Sequence, residues 1–149
     1  MSGKKPLPPT YFMSALVACL LLHFLLPVAR IIFFPYNLIG FLPALFGSYL
    51  NLQADNAFKR VNTTVKPFEQ STVLVKDGVF RISRHPMYLG MVLILFGLAI
   101  FLGTISPYIA VIVFIFLMER NFIHIEEQML ESAFKQEWLD YKKHVRRWI

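Results

Sequence analysis

Charged residues are scarce in this 149-residue chain: they make up 16% of it, against 56% hydrophobic residues. A soluble domain has about 25% charged residues, so too few are present to cover a water-exposed surface. Acidic residues are the scarcer sign, nine against 15 Lys and Arg, which leaves a net charge of +6. Cysteine is almost missing. The single Cys19 excludes an intrachain disulfide, and its place inside an apolar run reads as packing. No internal repeat, low-complexity tract or metal-ligand spacing occurs. Together these absences exclude an ordinary soluble enzyme and a DNA-binding domain, and no nucleic-acid partner is expected. The basic surplus reads first as membrane topology.

What is present is long uncharged sequence. Pro6–Ala29 and Ile31–Ala54 each run 24 residues without Asp, Glu, Lys or Arg, and His85–Met118 runs 34. A bilayer core about 30 Å thick needs about 20 apolar residues of helix. A first span is placed at 11–29. Its apolar run is longer than the roughly 7–15 residues of a signal core and no small-residue cleavage site follows, so it is read as a retained helix. A second span, 38–54, follows the Phe34-Pro35-Tyr36-Asn37 break, with Pro43 near its start. The third uncharged run is too long for one crossing, and Gly103-Thr104-Ile105-Ser106-Pro107 supplies a turn in its middle. It predicts a helical hairpin of 87–102 and 107–123.

Basic residues then set orientation. The first connection has only Arg30 and the hairpin turn has none. The segment from Lys59 to Arg84 has six, the tail from Lys135 onward has five, and Lys4 and Lys5 precede the first span. The positive-inside rule puts the second connection and both termini in the cytoplasm. The expectation is an all-α polytopic membrane protein, a single domain over 1–149 with about four spans. A cytoplasmic loop over 55–86 and an amphipathic tail helix over 124–145 complete it.

Within that loop, Thr72–Val75 reads as a short extended piece ending at the turn signal Lys76-Asp77-Gly78. His85 precedes Pro86 and should be non-helical, while Pro86 suits the first turn of the next helix. A helix amino terminus, with Arg84 and His85 just ahead of it, therefore faces the cytoplasm and suits an anionic group. Taken alone, Arg84 and His85 read equally well as a headgroup anchor, and Tyr88 as an interfacial aromatic. The chain's other half shifts that balance. Phe116, Arg120, Ile123, Glu127, Leu130, Phe134, Trp138, Tyr141 and Val145 recur every three or four residues and share one helical face. Arg120 and Glu127 interrupt that apolar stripe, and ionisable groups pointing inward near a membrane are costly enough to mark a site. Glu126 lies about 100° round the helix, at the edge of the same cavity. Glu131, Lys135, Glu137, Asp140, Lys142 and Lys143 read as a solvated face. His124 and His144 fall at its wet edge, and His23 reads as a hydrogen-bonded interior histidine.

Three pieces carry a resemblance. They are Leu74-Val-Lys-Asp-Gly78-Val-Phe-Arg81-Ile-Ser-Arg84-His85-Pro86-Met-Tyr88-Leu-Gly90, then Glu126-Glu127, then Phe134-Lys-Gln-Glu-Trp138-Leu-Asp-Tyr141-Lys-Lys-His-Val145. In these the chain, from about Thr72 onward, resembles the isoprenylcysteine carboxyl methyltransferase family and its broader relatives, the membrane phospholipid methyltransferases. The resemblance implies a cytoplasmic-face pocket for S-adenosylmethionine and a lipophilic acceptor, either a small molecule, a lipid or a lipidated substrate. It implies that His85, Pro86, Tyr88, Leu89 and Gly90 contact the cofactor and that Glu126 and Glu127 border it. Arg84 joins this binding set by position. Arg120 and Glu127 are the candidate catalytic pair: an arginine to hold a carboxylate acceptor, or Glu127 to take a proton from an amine. Two alternatives stay open at this point, an intramembrane NADPH-dependent sterol or enone reductase with a similar Arg-His-Pro-x-Tyr element, and a non-enzymatic membrane scaffold.

Overall fold

Prolines open three of the helices. The computed structural model describes residues 6–62 and 72–149, so Lys4, Lys5 and Lys66 of the basic count lie outside the described residues. Helix α1 (Pro8–Leu25) carries Pro8 and Pro9 in its first turn, where a missing N–H costs no helical bond. It begins and ends earlier than the expected 11–29, because Pro27 follows and turns Leu26 out of the helix (φ −137°, ψ 60°). A 3-10 turn over Tyr36–Gly40 leads into α2 (Phe41–Arg60). α2 outruns the expected 38–54. It continues through Asp55 and Lys59, paired at i,i+4 with 2.5 Å between charged atoms, so the first residues assigned to the loop are helical.

Thr72–Val75 forms bends and irregular chain, not a strand, and the turn falls at Gly78 (φ 63°), which starts a 3-10 turn over Gly78–Arg81. His85 is non-helical as expected (φ −127°, ψ 61°), and α3 (Pro86–Leu102) starts on Pro86. Gly103, with φ 76°, closes α3 by donating its N–H to the Ala99 carbonyl. α4 (Pro107–Met118) returns antiparallel, completing the hairpin. Beyond it the expected last span is interrupted by a π-helical turn over Glu119–Ile123, followed by α5 (His124–His144). α5 is kinked at Lys135, whose φ of 44° is unfavourable for a residue with a side chain.

α2 and α3 pack through glycine. A Cβ on Gly40 would strike the Gly97 carbonyl, and one on Gly47 the Gly90 carbonyl, with the reciprocal clashes from Gly97 and Gly90. Gly90 and Gly97 of α3 thus face Gly47 of α2 and Gly40 of the turn that leads into it, seven residues apart on each side, and the backbones touch at both levels. Cys19 of α1, Leu95 and Ala99 of α3, and Phe114 and Met118 of α4 form the main core. Leu50 and Ala54 of α2 meet Val79, Phe80 and Leu89, while Leu74 packs with Trp138, Tyr141 and Val145.

The two connections at the far end are fastened together. The Ile31 and Ile32 N–H groups donate to the Gly103 carbonyl (2.8 and 3.1 Å), Ile105 donates to Ala29 (3.0 Å), and Ser106 Oγ donates to the Leu26 carbonyl. His23 Nδ1 lies 2.8 Å from Thr104 Oγ1, the hydrogen-bonded role expected of it. Large apolar side chains such as Phe24, Phe34, Leu42, Leu45, Ile112 and Phe116 stay exposed on the outside, as a lipid-facing surface requires. By length and composition, α1 and the run Pro107–His144 suffice to cross a membrane, and α3 is a shorter apolar helix.

Candidate active site

At the other end of the bundle, the segment before α3 meets the start of α5 and the chain's last residues. His85 is buried and stands between two carboxylates: Nε2 is 3.3 Å from Glu127 Oε1, and Nδ1 is 3.6 Å from Glu126 Oε2. Its ring stacks on Tyr88, centroids 5.8 Å apart, and Tyr88 donates its hydroxyl to Glu126 Oε1 at 2.6 Å. The i,i+3 step from His85 to Tyr88 across the start of α3 makes this stacking possible. Arg84 Nη2 lies 3.3 Å from Glu127 Oε1, and the guanidinium covers the Trp138 ring at 5.6 Å. Arg147, from the tail, donates through Nε and Nη2 to the two oxygens of Glu127 (3.2 and 2.7 Å) and through Nη1 to Glu119 (2.7 Å).

Electrostatics follows from these neighbours. Burial alone would raise the Glu127 carboxyl. Hydrogen bonds from His85 and Arg147 and the charge of Arg84 outweigh burial and hold it down at about 2. Burial likewise opposes a charged His85, yet its two carboxylate partners together raise it above its ordinary value. Burial lowers Arg84, an effect that Glu127 partly offsets. Glu127 is therefore an ionised carboxylate held among cations.

The fold brings together Arg84, His85, Tyr88, Glu126 and Glu127 of the expected set, with Pro86 buried at the helix start. Leu89 and Gly90 face elsewhere: Leu89 packs on Leu50 and Ala54, and Gly90 touches Gly47. Arg120 does not lie on the buried helical face expected of it. An unbroken α-helix would set it on the face of Ile123 and Glu127, but the π-helical turn adds a residue. The His124 N–H donates to the Glu119 carbonyl five residues back, and from buried Met118 to buried Ile123 is five positions, where one α-helical turn takes three or four. Phe116 and Arg120 consequently fall outside, where they line an open cavity of about 210 Å³ with Glu119 and His124.

Comparison with known proteins fits this geometry. The sequence model of one family, phospholipid methyltransferase, matches residues 36–137, which include every helix from α2 to α4 and most of α5. The chain belongs to the phospholipid methyltransferase family. Its sequence is 33% identical over 145 residues to the protein-S-isoprenylcysteine O-methyltransferase of Saccharomyces cerevisiae, covering 88% of this chain and 58% of that one. An uncharacterized protein of Haemophilus influenzae is 41% identical over 63 residues, 42% of this chain and all of that one. Among solved structures, the eukaryotic intramembrane Ras methyltransferase ICMT (isoprenylcysteine carboxyl methyltransferase) superposes with a TM-score of 0.66 at 26% identity, over 95% of this chain and 51% of that one. This family member thus shares an all-helical membrane fold while spanning little more than half the length of those two methyltransferases.

Two residues of the site escape a sequence reading of the family motifs. Arg147 counts there only as one of five basic residues of the tail, and Ser83 carries no signal. In the fold, Ser83 Oγ donates to the Arg147 carbonyl (3.0 Å) and accepts from the His85 N–H (3.1 Å), while the Arg84 N–H donates to the Arg146 carbonyl (3.1 Å).

Proposed function

We propose that this chain is an S-adenosylmethionine-dependent methyltransferase acting on the carboxylate of a lipophilic acceptor, of the S-isoprenylated cysteine type, at the cytoplasmic face of a membrane. In this reading α1 to α4 are four crossings and both termini are cytoplasmic. Supporting this, the site and the basic segments share one end, and the fastened far end carries only Arg30.

The residues present suit the cofactor. Among the described residues, Arg84 Nε and Nη1 and Trp138 Nε1 are buried without a hydrogen-bond partner, and such donors are costly unless an acceptor arrives. A carboxylate, as at the amino-acid end of S-adenosylmethionine, is an acceptor for an arginine fork. Glu126 retains partial exposure and suits an ammonium or hydroxyl. Arg84, His85, Pro86, Tyr88, Glu126 and Glu127 are the residues that would hold the cofactor, with Leu89 and Gly90 setting α3 in place behind them.

When bound, S-adenosylmethionine supplies an electrophilic methyl whose transfer leaves a neutral thioether, so no strong general acid is needed. The protein's work is positioning and exclusion of water. One observation carries the choice of acceptor: both oxygens of Glu127 are engaged, by His85, Arg84 and Arg147, and these partners hold its carboxyl well below the usual range. Such a group is a weak base. An amine, protonated at neutral pH, would need one, whereas a carboxylate is already nucleophilic. Glu127 therefore acts by fixing its cationic neighbours.

The test uses membranes containing the protein, methyl-labelled S-adenosylmethionine and an S-farnesyl N-acetylcysteine acceptor. Base-labile label in the acceptor is expected, lost in His85→Ala and Glu127→Ala. Base-stable label in phospholipid would overturn the choice of carboxylate. Absence of S-adenosylmethionine binding by calorimetry would overturn the enzymatic reading altogether.

A further inference from the structure

We infer that Arg147 is a positioning residue of the site, a latch by which the tail holds Glu127 in one orientation and ties it to the π-helical turn. The inference rests on the reading of the site as a methyltransferase centre. It begins from how the oxygens of Glu127 are shared. Oε1 is approached by three groups, His85 Nε2, Arg84 Nη2 and Arg147 Nε, all between 3.2 and 3.3 Å. Oε2 has a single described partner, Arg147 Nη2 at 2.7 Å, the shortest contact that Glu127 makes. A planar guanidinium engaging both oxygens fixes the carboxylate plane, which a point charge does not do. Without Arg147 the carboxylate would rotate about its remaining contacts on one oxygen.

The same guanidinium reaches Glu119, the first residue of the π-helical turn, at 2.7 Å. One side chain thereby spans the eight positions between Glu119 and Glu127 and braces the segment in which the helix changes register. The tail is held to the opposite wall by its backbone, through Ser83 Oγ and the Arg84 N–H. Trp148 packs against both of the larger apolar clusters. Residues 145–148 are therefore a wall of the site, with Arg147 facing Glu119 and Glu127, and Ser83, Arg84 and His85 lying across from it. Glu126 completes the charged groups around the cluster.

Two measurements test the latch. The first follows catalysis against pH for wild type, Arg147→Lys and Arg147→Ala in lipid nanodiscs, with the farnesylated acceptor. Arg147→Ala is expected to lower kcat 10- to 100-fold, with a smaller change in KM, and to move the acidic limb of the profile upward by at least one pH unit. Arg147→Lys should restore most of the pH limb but not kcat, since it returns charge without the fork. The second needs no turnover: 13C NMR titration of labelled glutamate carboxyls, with Glu127 assigned by its loss in Glu127→Gln. The Glu127 signal should titrate at higher pH in Arg147→Ala than in wild type. Glu119→Gln, which breaks only the second arm, should lower kcat several-fold and leave the Glu127 titration nearly in place, and it serves if Arg147→Ala fails to fold. An unshifted Glu127 titration in both Arg147 variants would overturn the latch, as would full activity of Arg147→Lys. If wild type transfers no methyl group while the titration still shifts, the methyltransferase reading fails and the hold of Arg147 on Glu127 stands.

Discussion

Replacing Glu127 with glutamine changes one buried charge and almost no volume, and its cost can be worked out by two routes. Glu127 is 6% exposed, and its carboxyl sits at about 2 against an ordinary 4.5. That difference of about 2.5 units corresponds to about 3 kcal/mol of preference for the ionised form in the folded state. Independently, removing one partner from a buried ion pair costs roughly 3–5 kcal/mol, because the remaining charge is left uncompensated. Here the groups left behind would be His85 and Arg84, both with side chains under a tenth exposed, and Arg147, which is 28% exposed. Glu127→Gln should therefore destabilise the protein by about 3 kcal/mol at neutral pH. The contribution also has a pH window. A carboxyl whose folded value is depressed stabilises fully above its unfolded value and loses that stabilisation as pH falls through the folded value. Wild type should accordingly lose stability between about pH 5 and pH 2, and its advantage over Glu127→Gln should shrink over the same interval. Unfolding in mixed micelles, followed by circular dichroism at pH 7, 5, 4 and 3, measures both quantities. A variant as stable as wild type at pH 7, or a difference that stays constant down to pH 3, would refute the assignment of Glu127 as a cation-held carboxylate.

Two further substitutions probe how the site is framed. Arg120→Ala should leave stability within about 0.5 kcal/mol of wild type in the same unfolding assay, since Arg120 lies outside the buried cluster; a loss of several kcal/mol would place it inside after all. Gly47→Leu should destabilise by roughly 1–3 kcal/mol or more, because even a Cβ at this position meets the Gly90 carbonyl. A variant of unchanged stability would contradict the close approach of α2 and α3.

Much of this was legible in the sequence, for physical reasons that differ by element. The hairpin could be read because Gly103 and Pro107 are covalent punctuation within an uncharged run, and His85 because a following proline restricts it whatever its surroundings. Glu127 stood out because a carboxylate in an apolar stripe needs a reason. Arg120 stood out by the same logic and was misplaced, since a π-helical turn is a change of hydrogen-bond partner with no compositional mark. The end of α1 was overrun because Pro27 sits in a run that otherwise stays apolar. Arg147 was out of reach for another reason: its meaning depends on the tail folding back to Ser83, and local periodicity contains no information about that return.

The fastening of the two far connections bears on how a bulky molecule could enter from the side. The Gly103 carbonyl receives two backbone N–H groups, Ser106 binds Leu26, and Thr104 meets His23, so α1, α3 and α4 are pinned to one another at that level. A bundle clamped at one end can splay only at the other, in the manner of a clothes-peg. Splaying by a few degrees about the clamp would displace the site end most, and it would have to break the contacts that close that end, Glu127 with His85 and Arg84 and the tail with Ser83, while the far end stays shut. If the acceptor is the lipophilic one proposed above, room for its chain would then come from rotation about a fixed pivot, with no helix leaving the bundle.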